Sequence, residues 1–593
     1  MPHTSPTRPT LVGNFGMVAS THWLASASAM SVLEAGGNAF DAAVAAGFVL
    51  QVVEPNLSGP AGEVPAVVWS ERDQRVEVVC GQGTAPPAAT IEHFRDDLGL
   101  EVVPGTGTLP AVVPGAFGGW MLMLQRWGSW RLADVLGYAI GYARTGFPAA
   151  PLVTQAIANV AEMFRTDWPT SAAAWLVDGR APAVGSRLRR TRLADTYERV
   201  LREAARPDRD AEIEAAIDVW YRGFVADEIT QFCRGEPWID TSGARHRGLL
   251  DGDALASWSP SVERPASFDF GDCTVFKTRP WGQGPVFLQQ LALLDAADIW
   301  SVPYGTADYL HLLIEAGKLA FADREAWYGD SGAVPDLVGL LLDPAYNRAR
   351  AALIDTTASL ELRPGSVGGR SPRLPRHTLL EPVSGVGYGE PTLGTRGHEP
   401  GDTCHVDVVD QWGNMVSATP SGGWLHSSPD IPSLGFCLGT RAQMFCLEHD
   451  HPNSLRPGAR PRTTLTPSLA FRGGRPWMAF GTPGGDQQDQ WSLAFFCSVV
   501  LGGMSLQQAI DAPAFTSEHA PGSFYPHDSY PGRVRLESRV DAAVVDGLRS
   551  RGHEIVLVEP WSLGRLSAVS KDDDGFYRAA ANARGELGYA VGR

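Results

Sequence analysis

The period of the hydrophobic pattern changes several times along the chain. Met17-Val18-Ala19-Ser20 reads as a short strand. From Ala25 to Ala35, small and apolar residues recur at helical spacing, and Gly36-Gly37 supplies a stop. Phe40 to Val53 predicts a second, almost wholly apolar helix, ended by Pro55 and the Ser58-Gly59-Pro60 turn. Ala and Gly dominate both segments, which suits helices packed closely on one another or on a sheet. Trp130 to Thr145 and Ala307 to Trp327 carry amphipathic helical spacing.

Later in the chain the period falls to two. Thr403 to Asp410 alternates like a strand, Gln411-Trp412-Gly413-Asn414 makes a turn, and Met415 to Thr419 returns. A second hairpin is predicted from Pro467 to Phe471, through Arg472-Gly473-Gly474-Arg475, to Trp477 to Phe480. Pro364 to Asp402 is different: it is dense in Gly, Pro, Ser, Arg and Thr and has little periodicity. It reads as a long exposed segment, and long structureless segments in compact proteins are usually functional or disordered. Residues 1–16 read as a flexible arm, and no internal repeat is evident.

Composition narrows the class. The 593 residues are 44% hydrophobic and 19% charged, which is globular. The 49 Lys and Arg against 66 Asp and Glu give a formal charge of −17, which argues against a nucleic-acid partner. No apolar run approaches the ~20 residues needed to span a bilayer. The best candidate, Ala42 to Val53, is short and interrupted by Gln51. The N-terminus offers no uninterrupted apolar segment of the secretory kind. The seven cysteines stand singly, with no CxxC, so neither a disulfide framework nor a zinc knuckle is expected. A cytoplasmic location follows as the simplest expectation.

The common catalytic motifs are absent: there is no GxSxG elbow, P-loop, HExxH or strand-linked GxGxxG. Glu448-His449-Asp450-His451 has metal-capable side chains, but its turn-like context beside Pro452 and Asn453 reads as a solvated loop. The informative feature is Pro400-Gly401-Asp402-Thr403-Cys404-His405, a threonine opening a strand after an exposed polar loop. If the chain is cut before Thr403, the new α-amine lies beside the hydroxyl. With an ordinary pKa near ~7.7–8.0, it can serve as the base for that hydroxyl. By composition alone Thr403 reads as an ordinary strand residue far more readily than as a nucleophile.

Several stretches, in order, resemble the gamma-glutamyltransferase (gamma-glutamyltranspeptidase) family of N-terminal nucleophile hydrolases. They are Gly16 to Ser20, Gly36 to Ala43, Val53-Glu54-Pro55 with Ser58-Gly59, Val113-Pro114-Gly115 and Ala143 to Phe147. They continue through His311, Glu315-Ala316, Lys318 and Phe321 to Arg324, then Asp402 to His405, Val408 to Asp410 and Gly413-Asn414. Arg460-Pro461, Thr466-Pro467 and Gly481 to Gly485 complete the set, which spans nearly the whole chain.

The resemblance implies an α+β fold, a four-layer αββα sandwich formed by both chains of a self-cleaved precursor. It puts the scissile bond at Asp402–Thr403, dividing a large chain, 1–402 (with 364–402 as an exposed loop), from a small chain, 403–593. The two would form one interleaved domain and stay together as a heterodimer. Thr403 would be the nucleophile, with a second hydroxyl at Ser421 and Thr419 assisting from the same strand face. Gly484 and Gly485 match the pair whose N–H groups form the oxyanion hole, where a bare backbone can approach the substrate. No metal or organic cofactor is implied, and the partner is a small-molecule substrate.

Substrate recognition departs from the family pattern. Gln82, in Gln82-Gly83-Thr84-Ala85-Pro86, replaces the arginine that holds a γ-glutamyl α-carboxylate. A neutral amide cannot form a bidentate ionic fork. Gln443-Met444 stand before Phe445, where an acidic residue normally meets the α-amine. Thr463-Thr464 replace the family's paired serines. Arg460 and Arg462 read either as a relocated anion anchor or as surface arginines. Trp281, Trp424 and Trp491 suit a less polar substrate or the core. The expected reaction is an acyl-enzyme on Thr403, hydrolysing or transferring a γ-glutamyl-like or other small acyl group from an amide. Relatives that hydrolyse a carbon–carbon bond in pathways to 4-alkylproline units give one alternative. A non-catalytic binding homologue gives another, opposed by the joint retention of Thr403, Ser421, Gly484 and Gly485.

Overall fold

The computed structural model describes residues 6–376, 403–585 and 587–593. Asp402, the expected cleavage position, and most of the predicted 364–402 loop lie outside the described residues. Within residues 364–376, Val367 and Arg370 form an isolated bridge.

Two seven-stranded sheets organise the chain. One runs, in spatial order, Leu11–Gly13, Tyr577–Ala581, Ser567–Lys571, Arg475–Gly481, Ser468–Arg472, Cys273–Lys277 and Ala266–Phe270. The other runs Tyr589–Gly592, Met17–Ser20, Val406–Val409, Met415–Ala418, Val64–Ser70, Arg75–Gly81 and Ser261–Glu263. Every pairing within them is antiparallel. Each sheet draws strands from both sides of Thr403.

Three apolar clusters explain how the sheets are buried. One takes Met17, Ala19, Val67, Val409 and Met415 from the second sheet and Leu469, Ala479 and Val569 from the first. A second joins Val18, Ala66, Val406 and Val416 to the helices Trp23–Glu34, Ala39–Val53, Ala116–Trp127 and Leu132–Thr145. A third joins Val275, Met478, Phe480 and Ala568 to Gly284–Ala296, Ala307–Trp327 and Gln488–Val500. Strand alternation therefore sends successive residues, such as Val408 and Val409, to different clusters.

The helix ends follow local chemistry. The predicted Ala25–Ala35 helix begins earlier, at Trp23, because the His22 ring accepts the Leu24 N–H at 3.1 Å. Its exit is Gly36, at φ +94°. Asn38 and Asp41 form a capping box for Ala39–Val53. In the predicted second hairpin, Gly473 and Gly474 (φ +55° and +77°) form a tighter turn, so the strands extend to Arg472 and from Arg475. The N-terminal arm is shorter than expected. The Thr7 hydroxyl donates to Asp511, and Leu11–Gly13 closes the edge of the first sheet against Tyr577–Ala579. Among the described residues, no helix is long and apolar enough to cross a membrane.

Candidate active site

Thr403 does not lie in a regular strand. It stands before Val406–Val409 and forms a single antiparallel bridge with Ser421. Cys404 N–H donates to Pro420 at 2.9 Å, while Ser421 and Glu63 exchange backbone bonds of 3.0 and 2.8 Å. Two irregular edges are thereby fixed side by side. The Thr403 hydroxyl lies 3.4 Å from Ser421 Oγ and 3.3 Å from the Gly484 carbonyl. Thr403, Ser421 and Gly484 therefore come together although the first and last are 81 residues apart.

Gly484 has φ +132°, and a Cβ there would lie 2.7 Å from the Trp491 ring. Glycine is required both for the conformation and for the space. The Gly484 carbonyl also accepts from the Gln488 amide, tying the loop to the first residue of the helix Gln488–Val500. Among the described residues, neither the Gly484 nor the Gly485 N–H has a hydrogen-bond acceptor. These donors stand just before a helix N-terminus, where partial positive charge accumulates.

Thr419 is placed otherwise. Its Oγ lies 2.9 Å from His405 Nδ1, and His405 Nε2 lies 2.9 Å from Asp407. Asp407 also accepts from Ser567 Oγ at 2.8 Å, so the chain of bonds crosses to the other sheet. A carboxylate can only accept, so Nε2 carries the imidazole proton and Nδ1 accepts from Thr419. The Thr419 hydroxyl is thus oriented by His405. His405 was absent from the sequence-derived site; its place directly after Thr403-Cys404 was the available signal.

Arg441 is the other functional-type residue that sequence reasoning missed. Its Nη2 donates to Ser421 Oγ at 2.9 Å and is ion-paired with Glu63. Its guanidinium lies 5.1 Å from the Trp424 ring centre and 5.5 Å from that of Phe524. Burial raises the Glu63 pKa, opposed by Arg441.

The predicted recognition residues separate into two groups. Gln82 is buried, and neither atom of its side-chain amide has a hydrogen-bond partner among the described residues. The Thr464 hydroxyl is also buried without one. The others are engaged by the fold. Gln443 donates to Gly105 O and Thr440 and accepts the Tyr525 N–H at 3.1 Å. Arg460 is neither free nor fully exposed: it pairs with Glu263 at 2.6 Å and Asp330 at 2.7 Å. Arg462 is buried against Glu325 at 3.0 Å. Thr463 binds Trp281 O through its N–H and caps Leu465 N–H through its hydroxyl. Trp491 packs against Gly484, Trp424 lies by Arg441, and Trp281 belongs to the cluster shared by the sheets.

Among the described residues, one group of metal-type ligands converges. His311, Glu315 and His553 place ligand atoms within 4.8 Å of one another. Glu315 is already paired with Lys318 at 2.6 Å and Arg363 at 3.3 Å, and two cations so close oppose a third. His451, expected in a solvated loop, is instead buried, with Nε2 toward Glu325 O and Nδ1 accepting Asn453 N–H.

The arrangement is that of an N-terminal nucleophile hydrolase, and comparison with known proteins makes the class specific. A family profile for gamma-glutamyltranspeptidase matches residues 25–592, and the chain belongs to that family. It is 30% identical to the acylase ACY 1 proenzyme of Pseudomonas sp. (strain SE83), covering 96% of this chain and 92% of the relative. It is 29% identical to the glutathione hydrolase-like YwrD proenzyme of Bacillus subtilis (strain 168), over 98% and 99%. It is 28% identical to the oxamate amidohydrolase proenzyme of Klebsiella pneumoniae subsp. pneumoniae, over 97% and 98%. Among solved structures, LmbA2991HD is 54% identical with a TM-score of 0.93, covering 100% of both chains. A cephalosporin acylase from Bacillus halodurans is 27% identical with a TM-score of 0.81, covering 100% of this chain and 98% of its own.

Proposed function

We propose that this protein is a self-processing acylase of its family, with Thr403 as nucleophile and an acyl group other than γ-glutamyl as substrate. The observation that carries the reading is the meeting of Thr403 Oγ, Ser421 Oγ and the Gly484 loop within 3.4 Å. The family's relatives named as proenzymes support the processing step.

In maturation, Thr403 Oγ attacks the Asp402 carbonyl carbon. The peptide C–N bond breaks as the ester C–O bond forms, and the proton passes from oxygen to nitrogen. Water then hydrolyses the ester, leaving the Asp402 carboxylate and a free Thr403 amine. In turnover the amine takes the hydroxyl proton while Oγ attacks the substrate carbonyl. The Gly484 and Gly485 N–H groups receive the developing oxyanion. The amide nitrogen leaves with a proton, and water or an acceptor amine resolves the acyl ester. Ser421 supports the nucleophile directly, and Thr419, its hydroxyl oriented by His405, assists.

The chains 1–402 and 403–593 remain a heterodimer in a four-layer αββα arrangement, because both sheets mix strands from the two. Gln82 and Gln443 supply no charge for a glutamyl zwitterion. Losing a charged hydrogen bond costs about 1.5–3 kcal/mol, so glutathione is a poor substrate. The test is a p-nitrophenyl acyl ester added to the mature protein. One equivalent of rapid p-nitrophenolate release, with the acyl mass on the peptide beginning at Thr403, supports the reading. Adducts elsewhere, with no burst, overturn it.

A further inference from the structure

We propose that Asp486 is a positioning residue for the oxyanion donors, held in place by a closed ring of charged groups. The inference rests on Thr403 being the nucleophile and on Gly484 and Gly485 receiving the oxyanion, and it adds what fixes those donors in space.

Asp486 follows Gly485 directly. Its carboxylate is ion-paired with Arg324 and accepts the Ser523 hydroxyl at 2.6 Å and the Ser523 N–H at 2.8 Å. Arg324 also pairs with Glu325 at 2.7 Å, and Glu325 pairs with Arg462 at 3.0 Å. Arg462 Nη2 donates to Ser523 Oγ at 3.2 Å, and that hydroxyl returns the path to Asp486. Two guanidinium groups face two carboxylates, so the ring is neutral as a whole. Arg324, Glu325, Arg462 and Ser523 are buried, and Asp486 is half-buried beside them. Buried charges persist only when paired and hydrogen-bonded in this way.

The ring ties separate pieces of chain to the glycine loop. Arg324 and Glu325 come from the helix Ala307–Trp327. Arg324 Nη2 also donates to Pro521 O at 3.1 Å, two residues before Ser523. The segment continues to Phe524, which packs on Trp424 and faces the Arg441 guanidinium, and to Tyr525, whose N–H meets Gln443. Gln283 belongs to the same assembly: it accepts from Arg324 and donates to Asp486 O at 3.2 Å. Asp486 is thus held both by its side chain and by its backbone. A carboxylate one residue from the donors would oppose a developing oxyanion if it stood alone. Arg324 cancels that charge, so Asp486 acts through the geometry of the loop. A misplacement of about 1 Å there costs about 100-fold in rate.

The test measures single-turnover acylation of the mature protein by p-nitrophenyl acetate and by its thiono counterpart, in which sulfur replaces the carbonyl oxygen. Sulfur is the weaker acceptor, so the ratio of the two rates reports hydrogen bonding to the oxyanion. Asp486→Asn should lower the oxo-ester acylation rate at least about tenfold, with ester binding within about threefold of the parent. The oxo-to-thiono ratio should fall at least about threefold, because the thiono ester depends less on the donors. Ser523→Ala keeps the charges balanced and the Ser523 N–H in place. It should move rate and ratio the same way by a smaller factor, and it carries the test if Asp486→Asn folds or matures poorly. Asp486→Glu, which restores the charge, should recover part of the ratio. Acylation within about threefold of the parent in the variant tested, or an equal loss on both esters, overturns the proposal. A parent with no burst on the peptide beginning at Thr403 refutes the nucleophile reading, and the proposal with it. A normal burst in the parent with an unchanged ratio in the variants refutes the role of Asp486 alone.

Discussion

Gly484→Ala is the sharpest perturbation of the site that leaves every polar side chain in place. Alanine at φ +132° is strained, at about 1–3 kcal/mol. Its Cβ would also meet the Trp491 ring at 2.7 Å, against an ordinary carbon contact of about 3.5–4.0 Å. Trp491 is held by its Nε1, which donates to Phe515 O and Thr516 Oγ, both at 3.0 Å. The loop therefore yields rather than the ring, by roughly 1 Å. A 1 Å misplacement at a reacting centre costs about 100-fold in rate. Gly36→Ala supplies the control, with positive φ but nothing within 4 Å of the new Cβ. Self-cleavage would be followed by gel and single-turnover acylation by p-nitrophenolate release. Gly484→Ala should slow both by about 100-fold, and Gly36→Ala should slow neither. Rates within about threefold of the parent in Gly484→Ala would refute the assignment of this loop to the reacting centre.

Gln82→Met replaces two unpartnered buried polar atoms by apolar ones, so thermal stability should hold or rise while turnover falls if Gln82 meets substrate. A clear loss of stability would show a structural role instead. Lys277 and Asp489 form a fully buried pair at 3.1 Å joining the two sides of Thr403. Lys277→Met should cost about 3–5 kcal/mol by stranding Asp489, read from the urea midpoint. A shift under about 1 kcal/mol would contradict the pairing. Burial holds His426 near a pKa of about 3, well below its ordinary 6.5. The unfolded chain gains that proton first as pH falls, so this contribution to stability is present above pH 6.5 and is lost on acidification toward 3. Relative to His426→Phe, the parent should lose about 2 kcal/mol between about pH 7 and 5. A pH-independent difference would contradict the buried neutral ring.

The parts of the fold visible in the sequence were those with a strong local signal. The apolar run 39–53 and the hairpin around Gly473-Gly474 carry their own period and punctuation. The edge strand Leu11–Gly13 was not visible because its pairing with Tyr577–Ala581 depends on residues more than 500 positions away. The site was legible where backbone demanded a residue type, as at Gly484, or where the family pattern marked a hydroxyl, as at Thr403 and Ser421. Arg441 and His405 were missed because their meaning lies in what they touch. Nothing in the local text separates Arg441, which reaches Ser421 and Glu63, from Arg460, which is held by Glu263 and Asp330.

The central claim is that Thr403 cuts the chain before itself and then serves as nucleophile. Intact mass of the purified parent beside Thr403→Ala tests it most directly. The account predicts two chains in the parent, divided between Asp402 and Thr403, and one uncut chain in the variant. A folded parent that stays whole, or a Thr403→Ala protein that divides at the same bond, would contradict it.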